Sequence, residues 1–136
     1  MRSARTLATL LACSLVVVTL ALTASATALG DTAAPTLSGA KVRPKVLTGA
    51  RKAWLKVTSS EPATLKGVVL LKQDGRWNAA TQEKSWAVDA GRNVRLLYSR
   101  ADLSVLRDGR YRIRLSAIDD DGNRSVKIVL SFRVDH

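Results

Sequence analysis

The chain has 136 residues, with 22 Lys and Arg against 11 Asp and Glu, and its net charge is +11. This length limits it to one domain, and the positive charge favours an anionic partner. The only His is the last residue, His136, so the usual nucleophile–base pairs of enzymes cannot be assembled. Carboxylates are present, but none stands in a recognisable acid–base spacing. The sequence therefore predicts a protein that is not an enzyme and that holds no cofactor and no metal.

Residues 1–28 have the pattern of a secretory signal peptide. Arg2 and Arg5 precede an uncharged, largely apolar stretch, and small residues recur at its end as Ala24-Ser25-Ala26 and Ala26-Thr27-Ala28. We expect a signal-peptide helix that is cleaved after Ala26 or Ala28, which would leave a secreted, extracellular chain.

A membrane anchor formed by an uncleaved signal is the alternative, because the apolar run could cross a hydrocarbon core of roughly 30 Å. The single Cys, Cys13, lies in this run, so cleavage would leave a mature chain without disulfides. Residues 29–36 are predicted to be a short linker, and residues 37–136 the folded domain.

Alternation of apolar and polar residues with period 2 predicts strands along the rest of the chain. The clearest pair is a hairpin. Its first strand is expected to place Tyr111, Ile113, Leu115 and Ala117 in the core, and its second strand the alternate residues Val126, Ile128, Leu130, Phe132 and Val134. Earlier strands are expected in the ranges 37–42, 53–58, 65–72, 86–88 and 94–98, with a possible helical turn at 101–106. Seven strands and no other helix predict an all-β protein, a two-sheet β-sandwich.

Three segments resemble the bacterial Ig-like and fibronectin type III-like modules of secreted proteins. They are Asp31-Thr-Ala-Ala-Pro35, the corner Ser60-Glu61-Pro62-Ala63-Thr64, and the run from Leu106 to Ser125 that contains Gly109, Tyr111, Asp119, Gly122 and Asn123. The resemblance implies a seven-stranded Ig-like β-sandwich in which the Tyr111 hydroxyl bonds upstream backbone at a tyrosine corner. It also implies a spacer, an adhesive unit or a carbohydrate-associated domain.

Basic residues are expected to gather on one outer sheet face. Arg110, Arg112 and Arg114 alternate along one strand, so they project from the same side at intervals of about 7 Å. Lys127 and Arg133 are expected beside them, and Lys66 and Lys72 on a neighbouring strand. Two such charges repel by only about 0.6 kcal/mol in water, so a purely solvated face is also consistent with the sequence.

These residues predict a non-catalytic, secreted binding or adhesion module whose basic face contacts an anionic cell-wall or extracellular polymer, or a surface protein. Few aromatic residues interleave with the arginines in the sequence, which argues against a specific nucleic-acid partner. Membrane contact is expected only through the signal peptide, and the protein is expected to be a monomer.

Other interpretations remain open at this stage. Trp54 and Trp77 could stack on sugar rings, and the connection 73–84 could be the reactive loop of an inhibitor. Asp119, Asp121, Asn123 and Ser125 have a calcium-like spacing, but the Gly and Glu that a full calcium loop needs are missing. We therefore interpret this segment as a hairpin turn.

Overall fold

A computed structural model describes residues 31–49 and 51–136, so the predicted signal peptide lies outside the described residues. The expected all-β class is confirmed, because the described residues form nine strands and one short helix. The elements are β1 Leu37–Arg43, β2 Val46–Leu47, β3 Ala53–Ser59, β4 Ala63–Gln73, β5 Arg76–Ala79, β6 Lys84–Val88, β7 Gly91–Tyr98, α1 Arg100–Ser104, β8 Gly109–Ile118 and β9 Ile128–Val134. None of the helical segments within residues 31–49 and 51–136 has the length and hydrophobicity that a transmembrane span needs.

The strands form two sheets whose inner faces contribute to one apolar core. One sheet has three strands in the order β1-β3-β7, and the other has the order β2-β9-β8-β4-β5, with β6 also paired to β4. The chain passes from the first sheet to the second at the cis peptide bond between Arg43 and Pro44. Fully buried side chains from both sheets include Leu55, Leu65, Val69, Ile113 and Leu115.

The strand count exceeds the expected seven because two short strands lie in segments interpreted as connections. β5 occupies part of 73–84, since Asp74 and Gly75 take positive φ angles of 49° and 76° and turn the chain back along β4. A third of the segment that we interpreted as a possible inhibitor loop, four of its twelve residues, is therefore a paired strand.

The last strand begins later than the alternation predicts. Val126 is 85% exposed and lies outside β9, so its predicted place in the core is wrong. The reason is that Ser125 bonds to β8: its N–H donates to the Ala117 carbonyl at 2.9 Å, and its hydroxyl accepts from the Ala117 N–H at 2.8 Å. The Ser125 hydroxyl thus takes the place of a backbone acceptor that a regular β8–β9 pair would supply. Regular pairing with β8 therefore begins only at Ile128.

The centre of the larger sheet is the antiparallel pair β4 and β8. Their register runs from Thr64 opposite Ile118 to Leu71 opposite Tyr111. Gly67 faces the core, where a Cβ atom would lie 3.0 Å from both Ile113 Cδ1 and Trp86 Cζ3. A side chain at position 67 would therefore push the core apart, which explains glycine inside a strand.

Tyr111 closes the loop that precedes β8. Its hydroxyl donates to the Arg107 carbonyl at 2.7 Å, and its ring stacks on Phe132 with centroids 5.3 Å apart. The helix α1 lies just upstream and begins with a capping box between Ser99 and Asp102.

The two tyrosines of the chain offer a matched test of this bond. Tyr98 is as buried as Tyr111, but its hydroxyl forms no hydrogen bond of normal geometry with a described atom; the Thr81 hydroxyl, near enough to lower the pKa of Tyr98 slightly against the effect of burial, is likewise unpaired. We expect Tyr111→Phe to lower the free energy of unfolding by about 1 to 2 kcal/mol, and Tyr98→Phe to change it by no more than about 0.5 kcal/mol. Urea denaturation measures both; equal losses would show that the Arg107 bond does not stabilise the loop.

Burial also raises the pKa of Tyr98 to about 12. An unfolded tyrosine ionises near pH 10, so the unfolded state loses its proton first and stability should fall as the pH rises from about 10 to 12. In a Tyr111→Phe background, the absorbance of the phenolate should report Tyr98 alone. A midpoint near 10 in the folded protein would contradict this burial effect.

Candidate anion-binding face

The outer face of the larger sheet carries all seven of the cations that the sequence places together. Along β8, buried Tyr111, Ile113 and Leu115 alternate with exposed arginines. Because β4 and β9 pair with β8 in register, their outward side chains lie beside these arginines. We call this surface the basic face; its cations are Arg110, Arg112, Arg114, Lys127, Arg133, Lys66 and Lys72.

Cross-strand pairing places these cations in rows. Arg110 stands directly opposite Arg133, and Arg112 stands opposite Leu70 on the other side. Lys127 lies just before β9, where it lines a depression together with Lys66 and Arg114. The basic face therefore extends across β9, β8 and β4 instead of following a single strand.

Two of the seven cations of this face have an acidic partner. Lys66 pairs with Glu83 at 3.3 Å, and Arg133 pairs with Asp135 at 3.6 Å. Within residues 31–49 and 51–136, the other five cations of the basic face form no ion pair. Their charge is available to an anionic ligand without first breaking an ion pair.

Trp77 lies on the basic face, although it is distant from the arginines in sequence. It projects from β5 opposite Lys72 of β4. The Arg112 guanidinium carbon is 4.2 Å from the centre of the indole ring, and the Lys72 ammonium is 6.0 Å from it. Such cation–π contacts stabilise exposed pairs by about 0.5 to 1 kcal/mol and hold the cations close to the ring.

A shallow depression with a volume of about 340 Å³ surrounds this contact. It is lined by uncharged residues of β5, β8 and β9 and by charged residues from three strands and the segment before β2. The charged lining residues are Lys45, Lys72, Arg110, Arg112 and Arg133. Lys45 is a cation of this site that the sequence did not suggest, because β2 was not predicted.

Trp54 does not belong to this site. It is 39% exposed on β3, in the three-stranded sheet, so it cannot form a common platform with Trp77. One face of the Trp77 ring is also in contact with Arg112. The structure therefore does not bring together the two residues proposed for sugar stacking.

In the turn between β8 and β9, the carboxylate of Asp119 forms hydrogen bonds within the turn. Asp119 accepts hydrogen bonds from the backbone N–H and the side-chain amide of Asn123, both at 2.8 Å. The same amide donates to the Asp31 carbonyl at 2.6 Å, which ties the N-terminal segment to the turn. Gly122 completes the turn with a φ of 86°. Among the described residues, no group of three or more His, Cys, Asp or Glu is placed to hold a metal ion.

Comparisons with known proteins identify no family for this chain. No protein-family model and no curated protein matches it. Among solved structures, the chain is similar to the Pseudomonas fluorescens alkylpurine DNA glycosylase AlkC bound to DNA containing an abasic site analog, with a TM-score of 0.46 and 16% identity. The match covers 79% of this chain and 32% of that one, so this chain spans about a third of the glycosylase.

This finding corrects two expectations from the sequence. The first is the expected adhesion module that binds envelope polymer, with a sugar or a protein ligand as the alternatives. The second is the expected lack of a nucleic-acid partner. Both are at odds with a neighbour that is bound to DNA. Nucleic acid was excluded because few aromatic residues interleave with the arginines in the sequence. That reason no longer holds, because Trp77 contacts Arg112 on the basic face. A likeness at this TM-score identifies no ligand for this chain. The basic face is the feature of this chain that bears on its ligand.

The turn beside the site gives a prediction about acid stability. Burial raises the pKa of Asp119, but the bonds from Asn123 and the turn backbone outweigh it, so the net pKa is lowered. A lowered pKa means that Asp119 stabilises the fold above about pH 4, and that this contribution is lost as the pH falls through the folded-state pKa.

We expect Asp119→Asn to lower the melting temperature at pH 7 by on the order of 5 °C. The melting temperature of this variant should also decrease less than that of the wild type when the pH is lowered from 5 to 2. Differential scanning calorimetry can measure both effects. Asp120→Asn is the matched control, because Asp120 is exposed in the same turn. Equal effects of the two substitutions would contradict the assigned role of Asp119.

Proposed function

We propose that this chain is an exported, Ig-like, non-catalytic protein whose basic face binds the phosphate backbone of nucleic acids without sequence specificity. The observation that carries the proposal is the set of five cations without ion pairs on one sheet face, two of which, Arg112 and Lys72, contact Trp77. Export is supported by the sequence pattern of residues 1–28. The two-sheet fold and the Tyr111–Arg107 bond support the Ig-like assignment.

The spacing of the cations suits a polyanionic backbone. Outward side chains recur about every 7 Å along β8, and neighbouring strands lie about 4.8 Å apart. Arginine presents a planar fork of donors that matches phosphate oxygens, and three of the five unpaired cations are arginines: Arg110, Arg112 and Arg114. A strand of phosphates lying across the sheet could therefore contact several cations at once.

The position of Trp77 favours a nucleic acid as the ligand over polyanions that have no aromatic rings to stack on the indole. Proteins that bind single strands without sequence preference combine a cationic surface with aromatic side chains on which bases stack. Here the indole ring and the Arg112 guanidinium lie against each other, so each can offer a planar surface beside the phosphate-binding cations. The proposed binding mode needs contacts only with phosphates and with the faces of bases, and it includes no contact with base edges.

Charge reversal on the two sheets tests the proposal with a matched pair. We expect Arg112→Glu/Arg114→Glu to weaken binding of a single-stranded oligonucleotide at least roughly tenfold. Lys41→Glu/Lys56→Glu makes the same change in net charge on the three-stranded sheet and should alter affinity far less. Fluorescence anisotropy measures both, and circular dichroism checks that each variant folds.

The dependence on salt supplies a second readout. Each phosphate contact with a single strand contributes about −0.7 to the slope of log K against log salt, so five contacts predict a slope near −3.5. The arginine double variant should lose about 1.4 of this slope. A slope near zero, or equal losses in the two double variants, would overturn the proposal.

A further inference from the structure

The outer face of the three-stranded sheet exposes a group of apolar side chains. Trp54, Val94 and Leu96 are 39%, 51% and 40% exposed, and they are three of the seven large apolar residues exposed in the described chain. Trp54 of β3 stands directly opposite Leu96 of β7, and Val94 occupies the next outward position on β7. The three side chains therefore adjoin on one surface.

Cations surround this apolar group on the same face. Arg43 stands opposite Trp54, and Lys56 stands opposite Val94. Lys41 lies directly opposite Lys56, and Arg92 is the next outward residue of β7 beyond Val94. We call this surface the second face; its members are Trp54, Val94, Leu96, Lys41, Arg43, Lys56 and Arg92.

No acidic residue balances these charges within the sheet itself. The sequences of β1, β3 and β7 contain no Asp or Glu. Like charges directly opposite each other, as at Lys41 and Lys56, destabilise a sheet pair. Lys41, Lys56 and Arg92 also line one depression with Thr58. The second face thus combines uncompensated positive charge with exposed apolar surface.

We infer that the second face docks on an anionic lipid bilayer surface. Surfaces that bind such membranes place aromatic and aliphatic side chains in the headgroup region while basic residues contact the anionic lipids, and Trp favours this interfacial depth. The cations complement the lipid charge, and Trp54, Val94 and Leu96 supply the apolar contact. A nucleic acid would leave the aliphatic pair Val94 and Leu96 without a partner.

Addition of a peptide strand to β7 is disfavoured by groups already bonded along that strand. The Trp86 indole N–H donates to the Leu96 carbonyl at 3.1 Å. Arg95 donates to the Ala87 carbonyl at 2.9 Å and to the Val94 carbonyl at 3.1 Å, linking β7 to β6. The free feature of this region is therefore the outward face, not the strand edge.

Vesicle binding by the full chain tests the inference. We expect sedimentation with vesicles in which roughly a third of the phosphatidylcholine is replaced by phosphatidylglycerol, and much weaker binding to phosphatidylcholine alone. Lys41→Glu/Lys56→Glu should lose at least tenfold in affinity for the anionic vesicles. Arg112→Glu/Arg114→Glu carries the same change in charge and should lose far less. All variants keep residues 1–30, so any contribution of that segment is common to them.

Tryptophan fluorescence gives a local readout. The wild-type emission should shift to shorter wavelength on anionic vesicles; Trp54→Phe should abolish this shift, and Trp77→Phe should retain it. Persistence of the shift in Trp54→Phe, or equal losses in the two double variants, would overturn the inference. So would concentration-dependent dimerisation that Trp54→Ala abolishes, since a second copy of the chain would then cover the face. None of these results bears on oligonucleotide binding by the basic face.

Discussion

The alternation of apolar and charged residues along β8, which pairs with β4 on one side and β9 on the other, determines both the core and the outer surface of the larger sheet. Tyr111, Ile113, Leu115 and Ala117 are almost completely excluded from solvent, so the arginines between them must project from the opposite side of the sheet. A slip of one residue would bury guanidinium groups and expose the core, which is prohibitively unfavourable. The same register thus builds the core and the cationic surface.

The ends of β8 are fixed by polar contacts that differ in kind. At its start, the Tyr111 hydroxyl bonds the Arg107 carbonyl; at its end, Asp119 and Asn123 bond each other across the turn. Asn123 also bonds the Asp31 carbonyl and so holds the beginning of the described chain against the turn. These bonds set where the strand begins and ends, which in turn sets which arginines lie at the centre of the basic face.

The two outer faces of the protein share a positive charge but differ in their apolar content. On the basic face, Trp77 lies in contact with cations, a combination suited to phosphates and flat rings. On the second face, Trp54 lies beside Leu96 and Val94, with cations at the border. If both proposals hold, the protein would hold nucleic acid and membrane on opposite sides of one domain, and its high net charge would serve both contacts.

The all-β class, most of the strands and the outward direction of the arginines could be predicted from the amino-acid sequence, because alternation is a local property of each strand. The sequence did not predict β2 or β5, since strands of two and four residues are too short to show a period. Nor did it place Trp77 beside Arg112, Trp54 beside Leu96, or Val126 in solvent. Those positions depend on the register between strands that are distant in sequence and on one hydrogen bond of Ser125, which local patterns do not encode.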